Sequence, residues 1–445
     1  MIHELRILPP LAIARFGSAP TPMDNYDVVV DPDNPLGYRQ LRPAETLVLD
    51  GASGEITETF VADELRFTEN GRVRPVAPFL EVWALVGDQQ LTGGGRLEAL
   101  TTTLLEAEGA SVEDLHWQVQ VANLKVVRRT GERDDMVVAD SDEFSDHAQR
   151  PLVGRCENFL DGKTIGFGHV QFVRPTAAHP EIRLRFTPAG GFIYGSNGPP
   201  PPPPQQPPDP GDVSDIVYDA SKGLWDGYRD RGNDSRRTTA PGQIYAGFGS
   251  ATGHVSHGYL DDGCDGVVRV TLQQAGRTLR AVGRIGAGPP TYAPDAVPIR
   301  TVGDELEQAL LGPEVQPADA TFARAEEIVR RAFETIRLMN TAVANEGTWW
   351  AGDGGPFMDP SLVDVVALEN LHQTLLVALR SGTAPWFADV LRDHDQAADL
   401  TNPARRKMPA MMRGADRFPL ALTRRQVDLI RKLAQGPLFT DGERP

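Results

Sequence analysis

Cysteine is scarce in this chain: Cys156 and Cys264 are the two among 445 residues. Two cysteines cannot build a disulfide framework, so the fold has to rest on its apolar cores. Basic charge is also short. Lys and Arg number 44 against 61 Asp and Glu, a net charge of −17. Such a balance repels nucleic-acid backbones, and no basic patch offsets it. Arg424-Arg425 with Arg431-Lys432 reads as one solvated helix face. No apolar run reaches the roughly 20 residues of a membrane span. The start, Met1-Ile2-His3-Glu4-Leu5-Arg6, has no basic region followed by an apolar block, so no secretory signal is expected. The expectation is a cytoplasmic protein with neither nucleic acid nor membrane as partner. Three fingerprints are missing as well: Gly-x-x-x-x-Gly-Lys-Ser/Thr, Gly-x-Ser-x-Gly and His-Glu-x-x-His. Gly283-Arg284-Ile285-Gly286-Ala287-Gly288 does not match the dinucleotide fingerprint and runs into prolines instead of a helix.

What is present is punctuated and strand-like at first. Gly and Pro are abundant, at 44 and 37, as many turns require. Tyr26–Val30 and Thr46–Leu49 are short apolar runs between turn residues. Trp117–Val121, Ile182–Phe186 and Val268–Leu272 alternate apolar with polar side chains, the period of half-buried strands. Pro199 to Pro204, continuing to Pro208, favours polyproline II, either as a docking ligand or as an extended loop over 199–210. After about residue 315 the period becomes helical. Phe322, Ala325, Ile328, Ala332, Ile336, Met339 and Val343 define one helix. Asp359-Pro360 starts a second, a third follows Pro385, and Thr423 caps a fourth with Val427, Ile430 and Leu433. The expected class is α+β: a β-rich, sandwich-like part over 1–314 and a mainly helical part over 315–445.

Three constellations could carry chemistry. In the stretch from Gly253 to Gly266, His254, His257, Asp261, Asp262, Cys264 and Asp265 fall in one loop region. His, Cys and carboxylates of that kind ligate divalent metals, and a histidine can act as a base. The alternative is a turn whose Asp side chains accept from nearby amides. Glu369 and His372 stand one helical turn apart, as in half of a di-iron site, or as a surface i, i+3 pair. Trp349-Trp350, on a Gly-rich connection, can line a pocket or partner surface, or plug a junction between parts of the fold. Arg15, after an apolar strand, suits a buried ion pair better than catalysis.

Several segments also share an order with a known family. Ile7-Leu8-Pro9-Pro10-Leu11-Ala12-Ile13-Ala14-Arg15-Phe16-Gly17-Ser18 opens the chain. Trp117 to Lys125 ends a strand in Asn123 and Lys125, and Asp261 to Val268 forms an acidic turn before a strand. Pro289-Pro290-Thr291-Tyr292-Ala293-Pro294-Asp295, Met408-Pro409, Leu422-Thr423-x-x-Gln426 and Gly436-x-x-Phe439-x-Asp441 follow. The chain resembles the LodA-like quinoproteins, the family of lysine epsilon-oxidase and glycine oxidase. That resemblance implies oxidation of a primary amine or amino acid on cysteine tryptophylquinone, a cofactor made from one Cys and one Trp of the chain, with dioxygen as final acceptor. The family's cofactor region is expected beyond the segment that resembles Leu422 to Asp441. Here neither Cys156 nor Cys264 lies in the C-terminal part, and Trp349, Trp350 and Trp386 have no cysteine near them in sequence. No Cys–Trp pair carries over.

The expected function is therefore a LodA-like binding or assembly protein with no cofactor. A protein partner would dock on the Pro-rich loop or the helical part, and a homo-oligomer stays open. The alternative is an amine or amino-acid oxidoreductase that uses an atypical quinone, or a divalent metal held by His254, His257 and Asp265.

Overall fold

The alternation over Trp117–Val121 belongs to a longer strand, Leu115–Asn123, with Leu115, Trp117, Val119 and Val121 all turned inward and buried. In the computed structural model the described residues are 1–33, 39–70, 72–87, 95–198, 216–225, 247–250, 253–256, 260–274, 276–288, 299–334, 407–409, 412–413 and 419–435, with 374, 377, 389, 391 and 392 singly. They fall into two units: Met1–Asn25 with Pro43–Pro290, and Tyr26–Arg42 with Thr291–Pro445. Strands dominate the first unit and helices the second, an α+β chain.

The first unit is built on two sheets. One has the order Val137–Phe144, Leu115–Asn123, Cys264–Gln274, Arg277–Gly288, Leu11–Arg15, antiparallel except for the last pair. The other has the order Ile2–Leu8, Phe79–Val86, Arg183–Thr187, Ile165–Phe172, Arg150–Gly154, all antiparallel, with Arg96–Ala99 also paired to Phe79–Val86. Inward residues of both sheets form a single apolar cluster, which makes the pair a sandwich. Trp117 of the first sheet lies 5.7 Å from the ring of Phe172 of the second. Each such fully buried large side chain contributes about 1.5–3 kcal/mol.

Two departures from regular strand geometry matter below. Gly266 lies so close to the neighbouring strand that a Cβ would stand 2.3 Å from the carbonyl oxygen of Gln120. In Ile165–Phe172 the inward residues are Ile165, Phe167, Val170 and Phe172, so the two-residue period slips by one. The slip falls at Gly168, whose φ is +90° and whose Cβ would meet Thr187 O at 2.0 Å. Opposite it the register shifts between Pro151 and Val153. This is a β-bulge, and it turns both Gly168 and His169 away from the core.

In the second unit the helices Val302–Leu311, Phe322–Glu334 and Arg424–Gln435 are described. Ala325, Val329, Leu422, Val427 and Ile430 belong to a second apolar cluster. Thr423 and Gln426 exchange bonds: the Gln426 amide donates to Thr423 Oγ1 at 3.2 Å, and Thr423 N–H donates to Gln426 Oε1 at 2.8 Å. The Leu422-Thr423-x-x-Gln426 motif is thus a helix capping box. Of the helix expected from Phe322, the part to Glu334 is described. Of the one expected from Asp359, Thr374 and Val377 are described as helical, and the helix expected after Pro385 lies largely outside the described residues.

Helix Val302–Leu311 starts before the expected onset of helix near 315. It buries none of its residues, and Val302, Leu306 and Leu310 are exposed. Its start is fixed by a second capping box, between Thr301 and Asp304. Among the described residues no helix is long and apolar enough to cross a membrane. The Pro199–Pro204 run lies outside the described residues.

Candidate functional site

Three of the segments that carry the family resemblance meet at the acidic turn 261–266. The end of Leu115–Asn123 pairs with its far side, Ala122 opposite Asp265 and Val121 opposite Gly266. Asn123, buried, donates from Nδ2 to the carbonyls of Asp261 at 2.8 Å and Gly263 at 2.7 Å. Its Oδ1 accepts from Lys125 N–H at 2.8 Å. Lys125 Nζ forms an ion pair with Asp261 Oδ2, and Asp261 Oδ1 accepts from the Gly263 amide at 3.0 Å. A Cβ on Gly263 would stand 3.3 Å from the ring of Phe16, at the end of the opening segment. Arg15, just before it, is half-buried and pairs with Gly288.

Asp262 stands at the bend between the strands Leu260–Asp261 and Cys264–Gln274. It is completely buried. Its Oδ2 accepts from the amides of Gly191 at 3.0 Å and Phe192 at 2.9 Å. Its Oδ1 finds no hydrogen-bond partner among the described residues. Burial, then the neighbouring Asp261 carboxylate, pushes Asp262 up to about 8, against the two amides, which pull it down. At neutral pH it is a carboxylic acid with a proton to donate.

Asp262 lines a cleft of about 510 Å³ on the outer face of the sandwich. The bulge brings His169 to the same cleft, beside Gly166 and Gly168. Phe192 and Tyr194 line it too. Gly190 makes room for the Phe192 ring, which would lie 3.0 Å from a Cβ at that position. His169 is held below its ordinary value by burial and then by Arg185, so its imidazole is neutral at pH 7. The cleft therefore joins a neutral acid, a neutral imidazole and two aromatic rings. It can donate and accept hydrogen bonds without a formal charge.

The sequence candidates are only partly brought together. Asp261, Asp262, Cys264 and Asp265 share the turn, but their side chains serve different surroundings. Cys264 is buried in the strand Cys264–Gln274, its thiol pushed up by burial and then by Asp265. Asp265 is exposed. His254 lies in the strand Gly253–Ser256, opposite Gly249. His257, Trp349, Trp350, Glu369 and His372 lie outside the described residues. Among the described residues no group of three or more His, Cys, Asp or Glu side chains is placed to hold a metal ion. His169 was not among the sequence candidates. The signal that points to it is the apolar spacing of three across Phe167-Gly168-His169-Val170, where a regular strand has two.

One solved structure is similar to this chain, that of the epsilon-lysine oxidase from Marinomonas mediterranea. The alignment covers 97% of this chain and 61% of that one, with 14% identity and a TM-score of 0.38. The chain thus spans less than two thirds of the length of that oxidase. No protein-family model matches the chain, and no curated protein matches it in sequence.

Proposed function

We propose that this chain is a LodA-like protein, related to the amine and amino-acid oxidases, that acts as a small-molecule binding protein without a self-made quinone. The observation that carries the binding role is the buried acid Asp262, with one oxygen unpartnered among the described residues, bordering an open cleft of about 510 Å³. Ligand sites combine an apolar lining with a few placed polar groups at this scale, ~300–1,000 Å³. The family kinship rests on the ordered sequence segments, three of which meet at the turn beside this cleft.

Cys264 and Trp117 do not fit a tryptophylquinone. The thioether needs a cysteine sulfur bonded to an indole. Cys264 lies six strand positions from Val270, the partner of Trp117, which is about 20 Å at ~3.3 Å per residue. Cys156 donates its thiol to the Asp134 carbonyl at 3.1 Å, and burial pushes that thiol up to about 11. Both are free thiols held in the protonated form.

The oxidoreductase alternative draws on the presence of an acid and an imidazole in one cleft, a pair suited to moving protons. A visible spectrum and an intact mass separate the two. The binding protein is colourless and has the mass of its sequence, 48.4 kDa. Visible absorbance with a shifted mass would sink it. So would a stoichiometric metal that is lost when His254 and His257 are replaced by Ala.

A further inference from the structure

We infer that the Asp262 cleft takes an uncharged, hydroxylated ring of monosaccharide size, held by the Asp262 carboxyl at its border and by the aromatic rings of Phe192 and Tyr194. This inference rests on the binding role proposed above and adds the class of ligand.

The first ground is charge. The chain carries −17 overall, yet among the described residues no Lys, Arg or Glu lines the cleft. Its titratable groups, Asp262 and His169, are both neutral at pH 7 for the reasons given. The nearest cation, Arg185, lies over the Phe79 ring and outside the lining, so a charged ligand would leave water for a site that does not pair it directly, a loss that a neutral ligand avoids. The second ground is polarity. Asp262 Oδ1 is buried and unpartnered among the described residues, so the acid still needs an acceptor for its proton. The amides of Gly191 and Phe192 fix the other oxygen, so the carboxyl cannot turn to find one elsewhere. A hydroxyl accepts from the acid and can donate to the imidazole of His169. The third ground is shape. Gly166 leaves open space where a side chain would stand, and the rings of Phe192 and Tyr194 line the same cleft. A flat ring with an apolar face and a polar edge matches that lining.

The groups facing Asp262 bear on the pH response. Asp261 is its chain neighbour, Lys125 pairs with Asp261, the Cys264 thiol is pushed up by burial and partly by Asp262 and so stays protonated, and His169, with Arg185 beside it, and Tyr194 line the same cleft. Of these, His169 is already neutral at pH 7, so the change between pH 7 and 9 belongs to Asp262. Ionisation removes the proton that the ligand accepts.

The test is binding of glucose, galactose and mannose to the full chain, with glucuronate and glucosamine as charged rings of the same shape. Saturation-transfer NMR and calorimetry read it. At least one uncharged hexose is expected to bind at pH 7, at least tenfold more tightly than either charged ring. Its affinity should fall about tenfold by pH 9, one decade past the value of about 8. Asp262→Asn keeps a donor and should keep binding at both pH values. Gly166→Leu should abolish binding while the thermal midpoint stays within a few degrees, because a Cβ at Gly166 meets nothing within 4 Å. Tighter binding of a charged ring, lost in Gly166→Leu, would overturn the uncharged class and leave the cleft as a binding site. Binding that Gly166→Leu does not alter, or no binding by any of the five sugars, would overturn the inference. A thermal-shift screen against uncharged and charged small molecules would then test the cleft itself, and a screen with no shift sensitive to Gly166→Leu would overturn the binding role too.

Discussion

Replacing Asp262 by Asn should stabilise the sandwich, and the gain should depend on pH in a way that identifies the buried acid. The folded chain holds the Asp262 proton up to about 8, whereas an ordinary aspartate loses it near 3.8. The fold therefore binds a proton that the unfolded chain has released. Its stability from this group is fully present below about 4 and is lost as pH rises towards 8. At pH 7 the unfolded side chain is ionised by about three decades, so the aspartate costs about 4 kcal/mol relative to a side chain that does not titrate. Asn reproduces the protonated acid closely. Its oxygen can take the amides of Gly191 and Phe192, and its NH₂ replaces the oxygen that has no partner among the described residues. Hydrogen exchange of the Leu115–Asn123 strand, compared between wild type and Asp262→Asn at matched pH, reads the stability of this unit directly. The ratio of protection, variant over wild type, should rise about tenfold per pH unit between pH 5 and 7 and level off above about 8. A ratio independent of pH over that range would refute the neutral acid and with it the electrostatic basis of the cleft.

Other substitutions test the frame around the site. Asn123→Ala strips the carbonyls of Asp261 and Gly263 of a shared donor and should cost about 2–4 kcal/mol by chemical denaturation. Gly168→Ala places a Cβ 2.0 Å from Thr187 O at a φ of +90°. It should cost at least about 2 kcal/mol and, by displacing His169, weaken any cleft ligand more than Asn123→Ala does. Arg74→Lys loses the two-pronged contact with Asp24, at 2.7 and 2.8 Å, in a buried setting. A loss of about 3 kcal/mol, seen as a lowered thermal midpoint, is expected because Lys cannot match that fork.

The strands were legible wherever one face is buried and the other wet. Trp117–Val121 and Val268–Leu272 pair with each other in the structure, Trp117 opposite Val270. The caps were legible in the same way, since Thr423 with Gln426 is a local chemical signal. Helix Val302–Leu311 was hidden because its apolar residues are exposed and bury nothing, so its only local mark is Thr301 with Asp304. The cleft was hidden for a different reason. Asp262 depends on amides at Gly191 and Phe192, about seventy residues earlier, and no local pattern encodes that distance. His169 was readable in principle, but only to a search for strands that break their own period.

Asp262 is one of several buried polar groups that lack a partner among the described residues, and packing accounts for two of the others. The Trp117 indole nitrogen is in the same position, but Trp117 fills the centre of the sandwich, where its ring area outweighs a missing bond. Arg185 Nε lacks a partner too, yet its guanidinium lies 5.3 Å from the Phe79 ring, a contact that offsets the loss. Asp262 borders an open cleft instead. Asn could accept from the same two amides and avoid a cost of about 4 kcal/mol at pH 7. Its neighbour Asp261, one residue away, has Lys125, Asn123 and the Gly263 amide. Two adjacent aspartates, Asp261 at a strand end and Asp262 at the bend after it, thus have opposite fates. One closes a turn with every bond made. The other keeps a costly proton on a fully buried carboxyl that borders an open cleft, the kind of perturbed group that clusters at functional sites.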